Sequence, residues 1–200
     1  MRLFLARHGQ TQLNVERKFY GSNDCVLNST GEKQAKELAA AFAGHHLKFD
    51  AVYCSGLYRT YQTAFACVKD TLTIKKMPGL DEKGFGKWEA LDADEIQAQY
   101  PVEWQKWLDQ PFDYVPPEAE GYYPFAQRVQ TAIDKIIQTG EFKHQENILV
   151  VAHLGTLRVV DQYLLHDSQT FWDIHFDAGT YTEFISDDQD DFHLEKRNVR

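Results

Sequence analysis

Residues 1–11 read MRLFLARHGQT. Leu3 to Ala6 form a short apolar run that predicts a buried strand. Arg7, His8 and Gly9 follow with no spacer, so the strand ends by presenting a cation, an imidazole and a flexible residue. The meaning of that ending depends on whether other strands end in the same way, and on what fold they build.

Downstream, Ser29 with Glu32 three residues on predicts a capping box. The helix it opens runs to about Ala43, where Gly44 can stop it. Asp50 to Cys54 reads as a second strand and Leu57 to Lys69 as a helix. Leu72 to Lys75 reads as a third strand, ended by Pro78 and Gly79. From Leu80 to Gly121 the character changes: Trp88, Trp104, Trp107 and four prolines lie among short helical pieces. This region, about residues 80–121, reads as a lid-like excursion from one domain spanning 1–200. Helical periodicity returns from Tyr123 to Thr139 through Phe125, Val129, Ile133 and Ile136 or Ile137. Asn147 to Val151, NILVV, is strongly strand-like, and Thr156 to Leu165 is helical. Tyr181 to Ile185 and Phe192 to Glu195 predict final strands joined by an acidic turn, Asp187 to Asp191. Strands alternating with helices imply an α/β sheet with helices on both faces, and ligands collect beyond the carboxyl ends of such strands.

Composition narrows the function classes. Hydrophobic residues make up 43% of the 200, and the formal net charge is −9. So acidic a chain is repelled by a nucleic-acid duplex at long range, so an anionic ligand needs a local cluster of cations. No apolar run approaches the roughly 18 residues of a membrane span, and Leu3 to Ala6 is too short for a signal peptide. Cys25, Cys54 and Cys67 are an odd, irregular set that fits reduced thiols and a cytoplasmic location.

Three other strand ends carry chemistry. SGLYRTYQTA follows the second strand, with Arg59 on the first turn of the next helix. LDEKGFGKWEA follows the third, with Glu82 in a loop, and His153 follows Ile148 to Ala152. Two arginines, two histidines and a carboxylate at one sheet edge suit phosphoryl transfer. Arginine forks match phosphate oxygens and stay charged, a neutral imidazole is a nucleophile toward phosphorus, and a carboxyl group can protonate the leaving oxygen. Asp81 and Glu89 compete with Glu82 for that last role.

The blocks ARHGQTQLN, SGLYRTYQTA, LDEKGFGKWEA and VVAHLGTLR, in this order across most of the chain, resemble the histidine phosphatase superfamily. The resembling branch holds the phosphoglycerate mutases, the fructose-2,6-bisphosphatase domain and α-ribazole phosphatase. The resemblance implies a three-layer αβα sandwich with a mostly parallel sheet and one antiparallel edge strand. It implies His8 as nucleophile forming a phosphohistidine, and Arg7, Arg59 and His153 holding the phosphoryl group. Asn14 would also contact that group, Gly21 would line the pocket, and Glu82 would be the proton donor. No metal and no cofactor are expected, and the partner is a small phosphorylated metabolite. Three positions depart from the family pattern. His153 is followed by Leu154 rather than glycine, which predicts altered local geometry. Trp88-Glu89 is followed by Ala90 rather than glycine, and Ala119-Glu120-Gly121 stands for Gly-Glu-Ser. Leu91 to Glu120 contains no arginine, which favours a phosphatase over a mutase with a carboxylate clamp. A non-catalytic phospho-ligand-binding module is the third reading.

Several other features read as ordinary structure. Cys54 and Arg59 are one residue too close for a cysteine-phosphatase loop. His45 and His46 read as a solvated helix end, and the aspartates of residues 187–191 lack the glycine and glutamate of a calcium loop. Trp88, Trp104, Trp107, Phe112, Tyr114, Tyr122 and Tyr123 read as core or lid packing, one or two of them walling the pocket. Lys18, Lys83 and Lys87 read as plain surface charge, with added positive potential near an anionic substrate as the alternative.

Overall fold

The computed structural model describes residues 1–166, 170–187 and 191–200. Leu3, Phe4, Leu5 and Ala6 are all fully buried, so strand β1 (Arg2–Arg7) is covered on both faces. The other strands are β2 (Ala51–Cys54), β3 (Ile74–Lys76), β4 (Asn147–Ala152), β5 (Tyr181–Ser186) and β6 (Phe192–Val199). They form one sheet in the order β3-β2-β4-β1-β5-β6. Strands β3, β2, β4 and β1 pair in parallel. The antiparallel edge is built from two strands: β5 runs against β1, and β6 pairs antiparallel to β5. Residues 188–190 of the expected acidic turn lie outside the described residues; beside them Asp187 N–H donates to the Asp191 carbonyl at 3.0 Å.

Alternation along each strand assigns its side chains to two layers. Leu3 and Leu5 join a core with Phe125, Val129, Ile133 and Ile136 of helix α6 (Tyr122–Phe142) and Leu157, Val160 and Leu164 of α7 (Leu154–Leu165). Phe4 and Ala6 pack on the other face with Leu38 and Phe42 of α2 (Ser29–Gly44) and Ala64 and Val68 of α3 (Tyr58–Val68). This is the expected αβα sandwich. Residues 80–121 follow a 3-10 turn at Pro78–Leu80 and hold a second one, Gly86–Trp88, with helices α4 (Ala93–Gln99) and α5 (Pro101–Asp109). They gather around Trp88, which is fully buried and stacks edge-on against Phe19, Trp104 and Trp107.

Helix α2 differs at both ends from expectation. Its cap is Asn28, not Ser29: Asn28 has extended backbone and its side chain accepts from Gly31 N–H. Asparagine caps as well as serine, and Ser29 is already helical. Gly44 is the last helical residue, and the chain reverses at His46, whose φ is 55°.

Candidate active site

The register of β1 against β4 pairs Arg7 with Ala152. The next residues on the two strands, His8 and His153, therefore stand side by side, with ring centroids 5.1 Å apart. Both imidazoles are buried. His8 Nδ1 lies 2.7 Å from its neighbour's carbonyl, Gly9 O. A carbonyl only accepts, so Nδ1 carries the proton and Nε2 keeps its lone pair. Burial, then the Arg59 and Arg7 charges, hold the His8 pKa well below the usual histidine value, against the smaller opposing pull of Gly9 O. His8 is thus a neutral imidazole with one fixed tautomer. Gly9 also lets the loop press on α2: a Cβ there would stand 2.3 Å from the Gly31 carbonyl.

His153 is ordered just as tightly. Arg59 Nε donates to His153 Nδ1 at 3.2 Å. Nδ1 therefore accepts, and Nε2–H donates to Ser55 Oγ at 2.8 Å. Ser55 Oγ–H in turn donates to Thr60 Oγ1 at 2.9 Å, and Thr60 donates to the Leu57 carbonyl. Burial and Arg59 push the His153 pKa well below its usual value. Arg59, on the first turn of α3, is fully buried. Its Nη1 and Nη2 donate to the carbonyls of Asn23 (2.8 Å) and Gly21 (2.9 Å), and its guanidinium lies 4.8 Å from the Tyr20 ring centre. Arg7 leaves the end of β1, where burial lowers its pKa and Tyr20, Glu82 and Asp177 oppose that shift. Asn14 lies on α1 (Gln12–Val15), and its Oδ1 accepts from Thr11 N–H at 3.0 Å, which leaves the NH2 end of the amide for an anion.

Of the three candidate carboxylates, Glu82 is the one tied to the turn just after His153, and its charge acts on Arg7. Its Oε2 accepts from Gly155 N–H at 2.9 Å, on the first turn of α7, and its Oε1 from Lys83 N–H at 3.0 Å. Asp81 instead accepts from Gly56 N–H at 2.6 Å. Glu89 staples loops together: it accepts from the backbone N–H groups of Gly21, Ser22, Asn23 and Phe85. The Glu82 loop has its own latch, Arg128 of α6. This arginine is bidentate to Glu120 at 2.7 Å for both bonds, and it donates to the carbonyls of Gly79 (3.1 Å), Asp81 (2.7 Å) and Glu82 (3.1 Å).

Comparison with known proteins fits this arrangement. A sequence profile of the histidine phosphatase superfamily (branch 1) matches residues 3–200. The chain belongs to the histidine phosphatase superfamily. It is 32% identical to the adenosylcobalamin/alpha-ribazole phosphatase of Escherichia coli K12, over 91% of this chain and 88% of that protein. It is 28% identical to phosphoserine phosphatase 1 of Hydrogenobacter thermophilus, over 91% of this chain and 85% of that one. The crystal structure of the alpha-ribazole phosphatase from Shigella flexneri superposes with a TM-score of 0.90 at 30% identity, covering 100% of this chain and 96% of that one.

The departures of this histidine phosphatase from its family pattern now have a physical reading. Leu154 needs no glycine-like freedom, because it is the first residue of α7 and helical; the expected distortion is absent. The position that does demand glycine is the next one: a Cβ on Gly155 would stand 2.5 Å from Glu82 Oε1. Ala90 keeps the left-handed backbone, with φ 63°, although it carries a methyl group. Glu120, between Ala119 and Gly121, is the bidentate partner of Arg128.

Sequence reasoning missed Ser55, Tyr20, Arg128 and Arg158, and it misplaced Lys83. Lys18 and Lys87 pair with carboxylates near the surface, Glu95 and Glu118. Lys83 does not belong with them: its ammonium is buried. Its place directly after Glu82 was the available signal. Trp107, Phe112 and Tyr122 wall a pocket beside Glu82, whereas Tyr123 is exposed. Cys54 is buried at a strand end, and burial pushes its thiol up to about 11, far from a thiolate nucleophile. His45 caps α2 and pairs through Nδ1 with the Tyr181 hydroxyl at 2.8 Å.

Proposed function

We propose that the protein hydrolyses a small phosphomonoester in two steps through a phosphohistidine, without a metal. The observation that carries this is the fixed tautomer of His8: Nδ1–H donates to Gly9 O, and Nε2 keeps its lone pair as the nucleophile. His8 Nε2 attacks phosphorus while the ester P–O bond breaks. Glu82 gives its proton to the leaving alcohol oxygen. Arg7, Arg59, His153 and Asn14 stabilise charge on the three equatorial oxygens, the main device in phosphoryl transfer. In the second step water attacks phosphorus, Glu82 takes its proton, and the Nε2–P bond breaks to release phosphate.

Hydrolysis is favoured over mutase chemistry by the absence of arginine from Leu91 to Glu120. A small metabolite as partner, rather than nucleic acid or a membrane, is supported by the net charge of −9. Among the described residues, no helix is long and apolar enough to cross a membrane. All three cysteines are free thiols, which suits a cytoplasmic setting.

The test is phosphate release from small phosphomonoesters in EDTA, with wild type and His8→Ala side by side. A radiolabelled ester quenched in alkali should leave label on wild-type protein, because phosphohistidine survives alkali and is lost in acid. Turnover that persists in His8→Ala, or label of the opposite stability, overturns the assignment.

A further inference from the structure

Glu82 lines a pocket of about 280 Å³, together with Leu154 and Gly155, which directly follow His153. Its walls include Phe19, Phe85, Trp107, Phe112, Phe171 and Trp172. The rings brace one another edge to face: Phe19 on Phe85 at 5.2 Å, Phe112 on Phe171 at 5.7 Å, Phe171 on Trp172 at 5.1 Å. The cavity is therefore preformed. Glu82 stands in its lining, so an alcohol whose oxygen meets the Glu82 proton directs its remaining atoms inward.

Two cations interrupt the apolar wall, and they differ. Arg158 is built in: its Nε and Nη2 donate to the carbonyls of Ile174 (2.8 Å) and Trp172 (3.1 Å), and it lies over the Phe171 and Trp172 rings. Lys83 is not. Its buried Nζ lies 4.7 Å from the Phe85 ring centre and makes no hydrogen bond among the described residues. Glu120, Glu82 and Glu89 act on it electrostatically, yet none accepts its protons. A buried ammonium without acceptors is costly, and an acceptor brought into the pocket that Lys83 lines removes that cost once the side chain turns its Nζ from behind the wall toward it.

We propose that this pocket receives the leaving group of the substrate, and that the group is a flat aromatic or heteroaromatic ring carrying an acceptor that Lys83 binds. The proposal rests on the hydrolytic reading above and narrows its substrate class. Aromatic walls favour a ring through stacking and edge contacts. The volume lies at the low end for small-molecule sites, which suits one ring system. A small hydrophilic acid would leave the walls unfilled.

Three alkyl-type esters test it with matched leaving-oxygen chemistry: butyl phosphate, benzyl phosphate and para-carboxybenzyl phosphate. The kcat/KM for benzyl phosphate should exceed that for butyl phosphate by at least about tenfold, and the carboxylated ester should be better still. In Lys83→Met, and in Lys83→Gln as a second variant, the ratio of carboxybenzyl to benzyl kcat/KM should fall by about tenfold or more. Butyl phosphate matching benzyl phosphate, or a ratio unmoved by both variants, overturns the proposal. Tryptophan emission, in which Trp107 and Trp172 of the pocket contribute alongside Trp88 and Trp104, supplies a readout independent of turnover. Quenching by para-carboxybenzyl phosphate in His8→Ala should weaken about tenfold when Lys83→Met is added, and absence of quenching counts against the pocket. If no ester is hydrolysed but this Lys83-dependent quenching is seen, the hydrolytic reading fails while the pocket assignment stands.

Discussion

Gly155→Ala separates the placement of the Glu82 carboxylate from the stability of the fold. Gly155 lies in the first turn of α7 and donates its N–H to Glu82 Oε2 at 2.9 Å. A Cβ there would stand 2.5 Å from Oε1, about 0.9 Å inside the 3.4 Å at which ordinary contact begins. The carboxylate must withdraw by about that distance, since the helix backbone cannot. A shift near 1 Å in a reacting group costs about 10²-fold in rate, so kcat on an alkyl ester should fall about 10²-fold. KM should move much less, because Arg7, Arg59 and Asn14 are untouched. Stability should go the other way. Gly155 is helical, and alanine is favoured over glycine in helices by up to about 1 kcal/mol. The urea midpoint should therefore hold or rise. The phosphoenzyme-forming step with para-nitrophenyl phosphate should suffer less, since that leaving oxygen departs without a proton. Steady-state kinetics on both esters and a urea titration make the test. Wild-type kcat on the alkyl ester would refute the placement of Glu82, and a joint loss of kcat and urea midpoint would mean fold damage.

Ala90→Gly should stabilise the protein. The left-handed backbone costs an L-residue roughly 1–2 kcal/mol and glycine's unfolded-state entropy offsets about 0.4–1 kcal/mol, so a gain of about 0.5–1 kcal/mol should appear in urea unfolding; a lower midpoint would contradict the strain argument. Arg128→Met should cut kcat about tenfold or more with a smaller change in KM, and Arg128→Lys should restore only part, because a single ammonium cannot hold three carbonyls and Glu120. His8 and His153 both titrate lower in the fold than in the unfolded chain, so their contribution is complete above the unfolded value of about 6.5 and is lost as pH falls below it. Stability should drop by up to about 2.7 kcal/mol per pH unit there, and His8→Asn should remove about half of that slope.

The αβα layering was legible because the apolar runs are short and evenly interrupted, and NILVV admits no other reading. The pairing of His8 with His153 was only implied. It follows from the in-register parallel pairing of β1 with β4, a relation between residues about 145 positions apart that no local pattern reports. Ser55 and Arg128 were invisible for a related reason. Their work is done through one imidazole nitrogen and three backbone carbonyls, and carbonyls have no residue identity to read. Glu89 was legible as a carboxylate near the site but not as a loop staple, since its partners are backbone N–H groups. Lys83 shows the opposite error. A lysine in a polar loop reads as surface charge, and only the aromatic excursion folding over it buries the ammonium.

The charge arrangement explains why two neutral histidines sit beside two arginines. Each imidazole is pinned in a neutral form by a partner with one possible role: Gly9 O can only accept, and Arg59 Nε can only donate. In the proposed mechanism the cations that lower the histidine pKa values, Arg59 and Arg7, are also those that grip the phosphoryl group, so the same charges would prepare nucleophile and anion site. A dianionic phosphoryl group reverses the balance at His153. Its Nε2 proton is committed to Ser55 and its Nδ1 accepts from Arg59, so it has no proton to give in this state. To donate to a phosphoryl oxygen it must gain a proton at Nδ1, and the arriving negative charge favours that gain. His8, with its lone pair on Nε2 and its proton held by Gly9, needs no such change. In the proposed mechanism the two imidazoles share one environment yet divide the labour between attack and charge stabilisation, because the hydrogen bond at Nδ1 runs in opposite directions.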